Sequence, residues 1–137
     1  EKYTGATNLE EACCIIHDRG ALIAGVTDGA NGSYFVWPDG TAYRCQPFPQ
    51  ASVVDTTGAG DSFHGAFLSK LAVSIRQENT LYGEFIKPID ILQSLDHKQL
   101  ESAAIFASAV SALNTQGIGG RSALPSLKSA CNLAGLE

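Results

Sequence analysis

The chain has 137 residues, of which 45% are hydrophobic and 17% charged, and its formal net charge is −5. This length fits one domain with its own core, and the acidic balance argues against nucleic-acid or anionic-membrane binding through general electrostatics. Because no apolar run approaches the ~18 residues of a membrane span and no signal peptide is recognisable, we expect a cytoplasmic protein.

The first predicted elements are a helix and a strand. Asn8, with Glu11 three residues later, predicts a helix start, and Gly20 predicts its end. Residues 22–27 form a continuous apolar run, which predicts a buried central strand. The glycine turn at residues 29–32 follows it, so this turn lies at the carboxyl end of a strand, where open α/β sheets bind ligands.

A hairpin is predicted next. Residues 33–37 and 41–45 flank the Pro-Asp-Gly turn at residues 38–40, which is a turn signal between two strands. Trp37 and Tyr43 are expected to pack on a sheet face rather than to contact a ligand, because aromatic residues favour strands.

The four cysteines are Cys13, Cys14, Cys45 and Cys131, and none has Cys-x-x-Cys spacing. Neighbours on a helix point to different faces, so Cys13 and Cys14 are not expected to share a metal. We interpret all four as buried, reduced thiols.

Residues 53–67 are the most informative segment. They predict a short buried strand, a glycine-rich turn and the first turns of a helix. Gly58 and Gly60 allow a tight turn and leave no Cβ between the loop and a ligand. The free N–H groups and the dipole of the following helix favour a bound anion. Asp61 adds a carboxylate at the same helix entrance.

This combination suits phosphoryl transfer to an alcohol. The backbone amides of Ala59, Gly60 and Asp61 would stabilise the charge on the moving phosphoryl group, and Asp61 would accept the proton of the attacking hydroxyl. The alternative is that Asp61 only caps the helix. A Walker loop is excluded because its Gly-Lys-Ser/Thr run is missing, and a dinucleotide fingerprint is excluded by Phe63.

Four further elements are predicted along the rest of the chain. A helix that follows the glycine-rich turn is expected over residues 61–75. A less regular segment at residues 76–96 comes next, in which residues 88–92 form a short helix. A helix rich in small residues is expected over residues 97–114. The loop with Gly117, Gly119 and Gly120 leads to a last helix over residues 122–134, started by Pro125.

Residues 55–66, Asp-Thr-Thr-Gly-Ala-Gly-Asp-Ser-Phe-His-Gly-Ala, resemble the C-terminal signature of the PfkB family of carbohydrate kinases. Residues 27–32 resemble the family's Thr-x-Gly-x-x-Gly nucleotide-binding turn. Residues 106–113 and 117–121 resemble the helix and loop that wall the adenine pocket. The resemblance implies the C-terminal part of a ribokinase-like three-layer α/β/α sandwich.

The resemblance also implies roles for particular residues. Asp61 would be the general base, and Gly58, Ala59 and Gly60 would form the anion hole. ATP would be held by Thr27, Gly29, Gly32, Ser108 and Gly119, with Mg²⁺ on the nucleotide. A monovalent cation such as K⁺ would be held by Asp55, the Thr57 carbonyl and carbonyls of residues 115–121. Ser108 and His64 stand where many members have other residues, and His64 is not expected to be catalytic.

Kinases of this family are about twice as long as this chain, on a scale of ~100–200 residues per domain. We therefore expect residues 1–137 to be the single C-terminal, nucleotide-binding domain of a larger sugar kinase, inactive alone and either self-associating or bound to its missing N-terminal half. Two alternatives stay open. One is a kinase of the same fold acting on a nucleoside or a vitamin-like alcohol, and the other is a non-catalytic nucleotide-binding module.

Overall fold

A computed structural model describes residues 3–49, 52–82 and 86–136. Residues 83–85, part of the segment predicted to be irregular, lie outside this range. The elements in chain order are α1 (Leu9–Asp18), β1 (Ala24–Thr27), a 3₁₀ turn (Gly29–Asn31), β2 (Ser33–Val36), β3 (Ala42–Cys45), α2 (Ala59–Tyr82), α3 (Pro88–Ser94), α4 (His97–Asn114) and α5 (Leu127–Ala134).

The described strands form one antiparallel sheet in the order β1-β2-β3. Its register pairs Gly25 with Phe35 and Phe35 with Tyr43. The predicted hairpin is confirmed, and its turn closes through the Trp37 amide, which donates to the Thr41 carbonyl at 2.9 Å. Gly40 has a φ of +82° in this turn, a conformation that glycine adopts at low cost.

Helices cover both faces of this sheet. Val36 and Ala24 pack with the buried Cys13 of α1 on one face, and the Cys13 thiol donates to the Tyr34 carbonyl at 3.3 Å. Phe35, which alternates with Val36 along β2, points to the other face and joins the core formed with α2 and α4. The helix–sheet–helix layering of a ribokinase-like fold is thus present.

The main core is built on stacked aromatic rings. Phe35 stacks on Trp37 at 4.9 Å and on Phe67 at 5.2 Å between ring centroids, and Trp37 stacks on Tyr43 at 5.6 Å. Trp37 is fully buried, which confirms that it packs on the sheet. On the other side of these rings, the buried alanines of α4 let α2 approach closely. The core therefore holds α2 and α4 against one face of the sheet.

Two predicted strands differ from the structure. Residues 53–54, predicted to be a buried strand, are irregular, and Val53 and Val54 are exposed by 60% and 54%. They make one backbone contact, to the Thr115 carbonyl, instead of a ladder. The run at residues 22–27 becomes the short β1, which has one described neighbour, so it lies at the edge and not in the centre. An apolar run indicates a strand, but it does not show which strands pair with it.

Helix ends differ in two further places. α2 continues to Tyr82 instead of ending near Ile75, because nothing between them is a helix breaker. α5 begins at Leu127, since Ser126 caps it by accepting from the Ser129 amide at 3.1 Å, and Pro125 lies before the cap. The start of α1 is confirmed, with the Asn8 side chain accepting from the Glu11 amide at 2.8 Å.

The cysteines fall into two groups. Cys13 and Cys45 are buried, and burial raises the pKa of the Cys13 thiol to about 11. Cys14 is exposed and Cys131 is partly buried, so the expectation that all four are buried is wrong. Cys13 and Cys14 differ in burial because adjacent helical positions point about 100° apart.

Within the described ranges, no helix combines the length and apolar character needed to cross a membrane.

Candidate functional site

A cleft of about 730 Å³ opens between the sheet, the N-terminal end of α2 and one side of α4. It brings together six residues that the sequence analysis assigned to nucleotide or phosphate binding: Thr27, Gly29, Gly32, Ala59, Gly60 and Ser108. We call it the central cleft. The lining does not include Gly58, Asp61, Asp55, Thr57 or Gly119, which lie around the adjoining turn.

The first wall of the central cleft is the turn after β1. Gly29 and Gly32 have φ values of +47° and +85°, and the Asp28 amide donates to the Gly32 carbonyl at 2.8 Å. A methyl group on Gly32 would lie 2.3 Å from the Cys45 carbonyl oxygen. Glycine is therefore required there by both backbone angle and space.

The N-terminal end of α2 forms the second wall. The Ala59 amide donates to the Thr56 carbonyl at 3.1 Å, and the Ser62 amide donates to the Gly58 carbonyl at 2.9 Å. Between them, the amides of Gly60 and Asp61 have no backbone acceptor among the described residues. The sequence analysis proposed three free donors here; the structure leaves two, since Ala59 is engaged within the turn.

A second glycine loop packs against this turn. Gly58 has a φ of +75°, and a methyl group there would lie 2.6 Å from the Gly120 Cα. The fully buried Asn114 holds the same loop, because its side-chain amide donates to the Gly120 carbonyl at 3.3 Å. The Asn114 Oδ1 atom has no hydrogen-bond partner in the described structure.

Asp55 ties the two loops together. Its Oδ1 accepts from the Thr57 amide at 2.8 Å and from the Thr57 hydroxyl at 2.7 Å, and its Oδ2 accepts from the Gly119 amide at 2.8 Å. Hydrogen bonds from Thr57 are the main reason that the pKa of Asp55 is lowered from its ordinary value. The Gly119 amide, predicted to contact the nucleotide, is occupied by this carboxylate.

Asp61 is the third residue of α2, inside its first turn. It is exposed, and its carboxylate makes no hydrogen bond to another described residue. The alternative that Asp61 only caps the helix is not supported, because no backbone amide among the described residues donates to its carboxylate. Its charge still faces the positive end of the α2 dipole.

The sequence analysis missed part of the lining. The segment Gln46 to Pro49 forms one rim, with the Gln46 carbonyl accepting from the Ser108 hydroxyl at 3.4 Å. On α4, Ser111 donates to the Ala59 carbonyl at 2.9 Å, which ties α4 to the start of α2. The missed residues Ser111, Ala112 and Thr115 were detectable, since they follow the predicted Ser108 at helical spacing on one face. No motif signals the Gln46 segment.

A second cleft of about 670 Å³ lies beside α1 and is lined by Asn8, Glu10, Asp28, Tyr34 and Arg44 among others. We call it the α1 cleft. Its Arg44 lies 3.9 Å from Glu10, with both side chains more than half exposed. None of the predicted phosphate-binding residues lines it.

The profile of the pfkB family carbohydrate kinases matches residues 1–127. The chain belongs to this family. A bifunctional ribokinase/ribose-5-phosphate isomerase A from Fructilactobacillus sanfranciscensis is 31% identical over 85% of this chain. An inositol 3-kinase from Oryza sativa subsp. japonica is 34% identical over 73% of it. The chain spans 17% and 24% of the lengths of these two pfkB relatives.

Solved structures share the fold. A double-mutant fructokinase from Vibrio cholerae, in a form bound to fructose, ADP and potassium ion, matches 96% of this chain with a TM-score of 0.72 and 25% identity. This chain covers 36% of that fructokinase. An aminoimidazole riboside kinase from Salmonella enterica, complexed with its riboside and an ATP analogue, matches 97% with a TM-score of 0.69 and 24% identity. The ribokinase-like fold expected from the sequence is confirmed.

Proposed function

We propose that this chain is the nucleotide-binding part of an ATP-dependent kinase that phosphorylates a hydroxyl group of a sugar. The observation that carries the proposal is the free Gly60 amide on the wall of the central cleft, with the free Asp61 amide next to it in the chain and the Thr27–Gly32 turn in the same cleft. Such donors at a helix N-terminus suit a phosphate group. The cleft volume also suits a small-molecule ligand.

In this proposal the polyphosphate of ATP lies against the Gly58–Gly60 turn, and the adenine ring lies toward Ser108. The Gly60 and Asp61 amides stabilise the charge that develops on the transferred phosphoryl group. Asp61, exposed beside them, accepts the proton of the attacking hydroxyl. Asp61 can act as the general base only if the acceptor alcohol lies on the exposed side of the α2 N-terminus.

Two cations accompany the proposal. Mg²⁺ on the nucleotide would neutralise phosphate charge. For K⁺, two oxygen groups support the site: the Asp55 carboxylate, which accepts from Thr57 and Gly119, and the Thr57 carbonyl oxygen, which lies against the Gly120 loop. Oxygen ligands of this kind suit a hard cation. Asp55, Thr57 and the loop carbonyls would hold it.

The acceptor class rests on the relatives. Ribokinase, inositol kinase and fructokinase matches favour a sugar or polyol, whereas aminoimidazole riboside kinase and cytidine kinase are also similar to this chain. A nucleoside-type acceptor is therefore the second candidate. Because the chain spans about a third of the fructokinase, we propose that acceptor binding needs a further polypeptide segment or a second copy.

Substituting Gly60 tests the nucleotide site. A methyl group on Gly60 meets no protein atom within 4 Å, so Gly60→Ala should fold and gain up to about 1 kcal/mol of helix stability. The same methyl occupies space beside the free amides, so we expect Mg·ATP affinity to fall at least tenfold by isothermal titration calorimetry. Gly65→Ala is the matched control, since Gly65 also lies in α2 with open space around it but does not line the cleft.

Both variants should show equal or raised melting temperatures. Loss of ATP affinity in Gly60→Ala alone supports the site. Equal ATP affinity in both variants, or no ATP binding by the unsubstituted chain, would contradict the proposal.

A further inference from the structure

The central cleft lacks positive side chains for a polyphosphate. Among the described residues that line it there is no Lys and no Arg. The chain carries a formal net charge of −5, so the surrounding field does not attract an anion either. The Mg·ATP complex still carries net negative charge, against which the described lining offers a free backbone amide, its neighbour at Asp61 and a helix dipole equivalent to about half a charge. A side-chain cation next to the turn would add the positive charge that the lining lacks.

Arg121 is in position to be that cation. It follows Gly120 directly, and Gly120 packs against Gly58, with 2.6 Å between the Gly120 Cα and a methyl group built on Gly58. The Asp55–Gly119 and Asn114–Gly120 hydrogen bonds hold this loop from both sides. The start of the Arg121 side chain is thus fixed beside the phosphate-binding turn.

The Arg121 guanidinium is also available. The residue is exposed, and within the described ranges it makes no ion pair and no stacking contact. By contrast, Arg44 lies near Glu10, Arg19 lies over Tyr3, and Lys70 lies over Phe106. A planar guanidinium binds two phosphate oxygens at once, which suits the terminal groups of a nucleotide.

We propose that Arg121 is a phosphate-binding residue that contacts the terminal phosphates of the nucleotide at the Gly58–Gly60 turn. This inference rests on the proposed nucleotide function and adds to it a residue that supplies charge from the neighbouring loop. It predicts that Arg121 discriminates between nucleotides by the number of their phosphates, because its contact is lost when the β- and γ-phosphates are absent.

Calorimetric titration of the 137-residue chain with Mg·ATP, Mg·ADP and AMP tests this. Arg121→Ala should weaken Mg·ATP binding about tenfold, the loss of one charge-assisted contact, and leave AMP affinity within twofold. Arg121→Lys should recover part of the loss, since it keeps the charge without the planar fork. Arg76→Ala is the control for net charge, because Arg76 lies on α2 about 24 Å from Gly60 at 1.5 Å per residue.

The outcomes separate the two proposals. If the unsubstituted chain binds Mg·ATP and Arg121→Ala binds it equally well, the role of Arg121 is refuted while the nucleotide site stands. An equal loss for ATP and AMP would also refute it, since that pattern reports a disturbed loop. If the unsubstituted chain binds no nucleotide, the proposed function fails, and the Arg121 inference fails with it.

Discussion

Asp61 is the residue on which the proposed chemistry depends. Its position in the first turn of α2 gives it three neighbours of consequence: its own free amide, the free Gly60 amide and the positive end of the helix dipole. An exposed carboxylate next to phosphate donors can accept a proton from an alcohol but contributes little to holding an anionic nucleotide.

We therefore predict a split effect for Asp61→Asn. In this chain the Mg·ATP affinity should stay within about threefold of the original or rise, because a negative charge near the phosphates is removed. In any preparation that phosphorylates an acceptor, turnover should fall by about 10²–10⁴, the usual contribution of a general base. Calorimetry and a coupled kinase assay measure the two quantities, and a parallel loss of affinity would show a structural role instead.

Besides their shared core, the hairpin and α4 are joined by one hydrogen bond at the surface. Asp39 in the hairpin turn accepts from the Thr41 amide at 2.9 Å, and its Oδ2 lies 2.9 Å from the His97 Nε2 at the start of α4. The Thr41 amide first and the His97 side chain next lower the pKa of Asp39 to about 2. This contact connects β3 with the helix that walls the central cleft.

A pH dependence follows from the lowered pKa. The ionised form of Asp39 is favoured in the folded state, so its contribution to stability is present above its ordinary pKa of 3.8 and is lost as pH falls toward 2. Asp39→Asn should have a lower urea midpoint than the original chain at pH 6, and the difference should shrink between pH 4 and pH 2. A difference that stays constant over this range would contradict the assignment.

The elements show what sequence can and cannot predict. Local chemistry identified the α1 cap at Asn8, the Pro38–Gly40 hairpin turn and α4, because each depends on residues close in sequence. The exposed state of Val53 and Val54 was not predictable in this way, since burial depends on what packs against a strand. The engagement of the Ala59 amide within its turn likewise required the three-dimensional structure.

In the molecule as a whole, the sheet separates two clefts that lie on its opposite faces. The central cleft lies on the face where α2 and α4 pack, whereas the α1 cleft lies on the opposite side and is comparable in volume, at about 670 Å³ against about 730 Å³. Volume does not distinguish them. Chemistry does, because Gly29, Gly32 and the free Gly60 amide line the central cleft, while the lining of the α1 cleft includes two carboxylates, Glu10 and Asp28.

The central claim is that nucleotide binds in the central cleft, and a ¹H–¹⁵N correlation titration of the labelled chain with Mg·ATP tests it most directly. The predicted result is that the largest shift changes fall on Gly29, Gly32, Gly60 and Ser108, with Asn8 and Arg44 unchanged. Saturable shifts confined to Asn8, Tyr34 and Arg44 would place the ligand in the α1 cleft and contradict the account, as would the absence of any saturable shift.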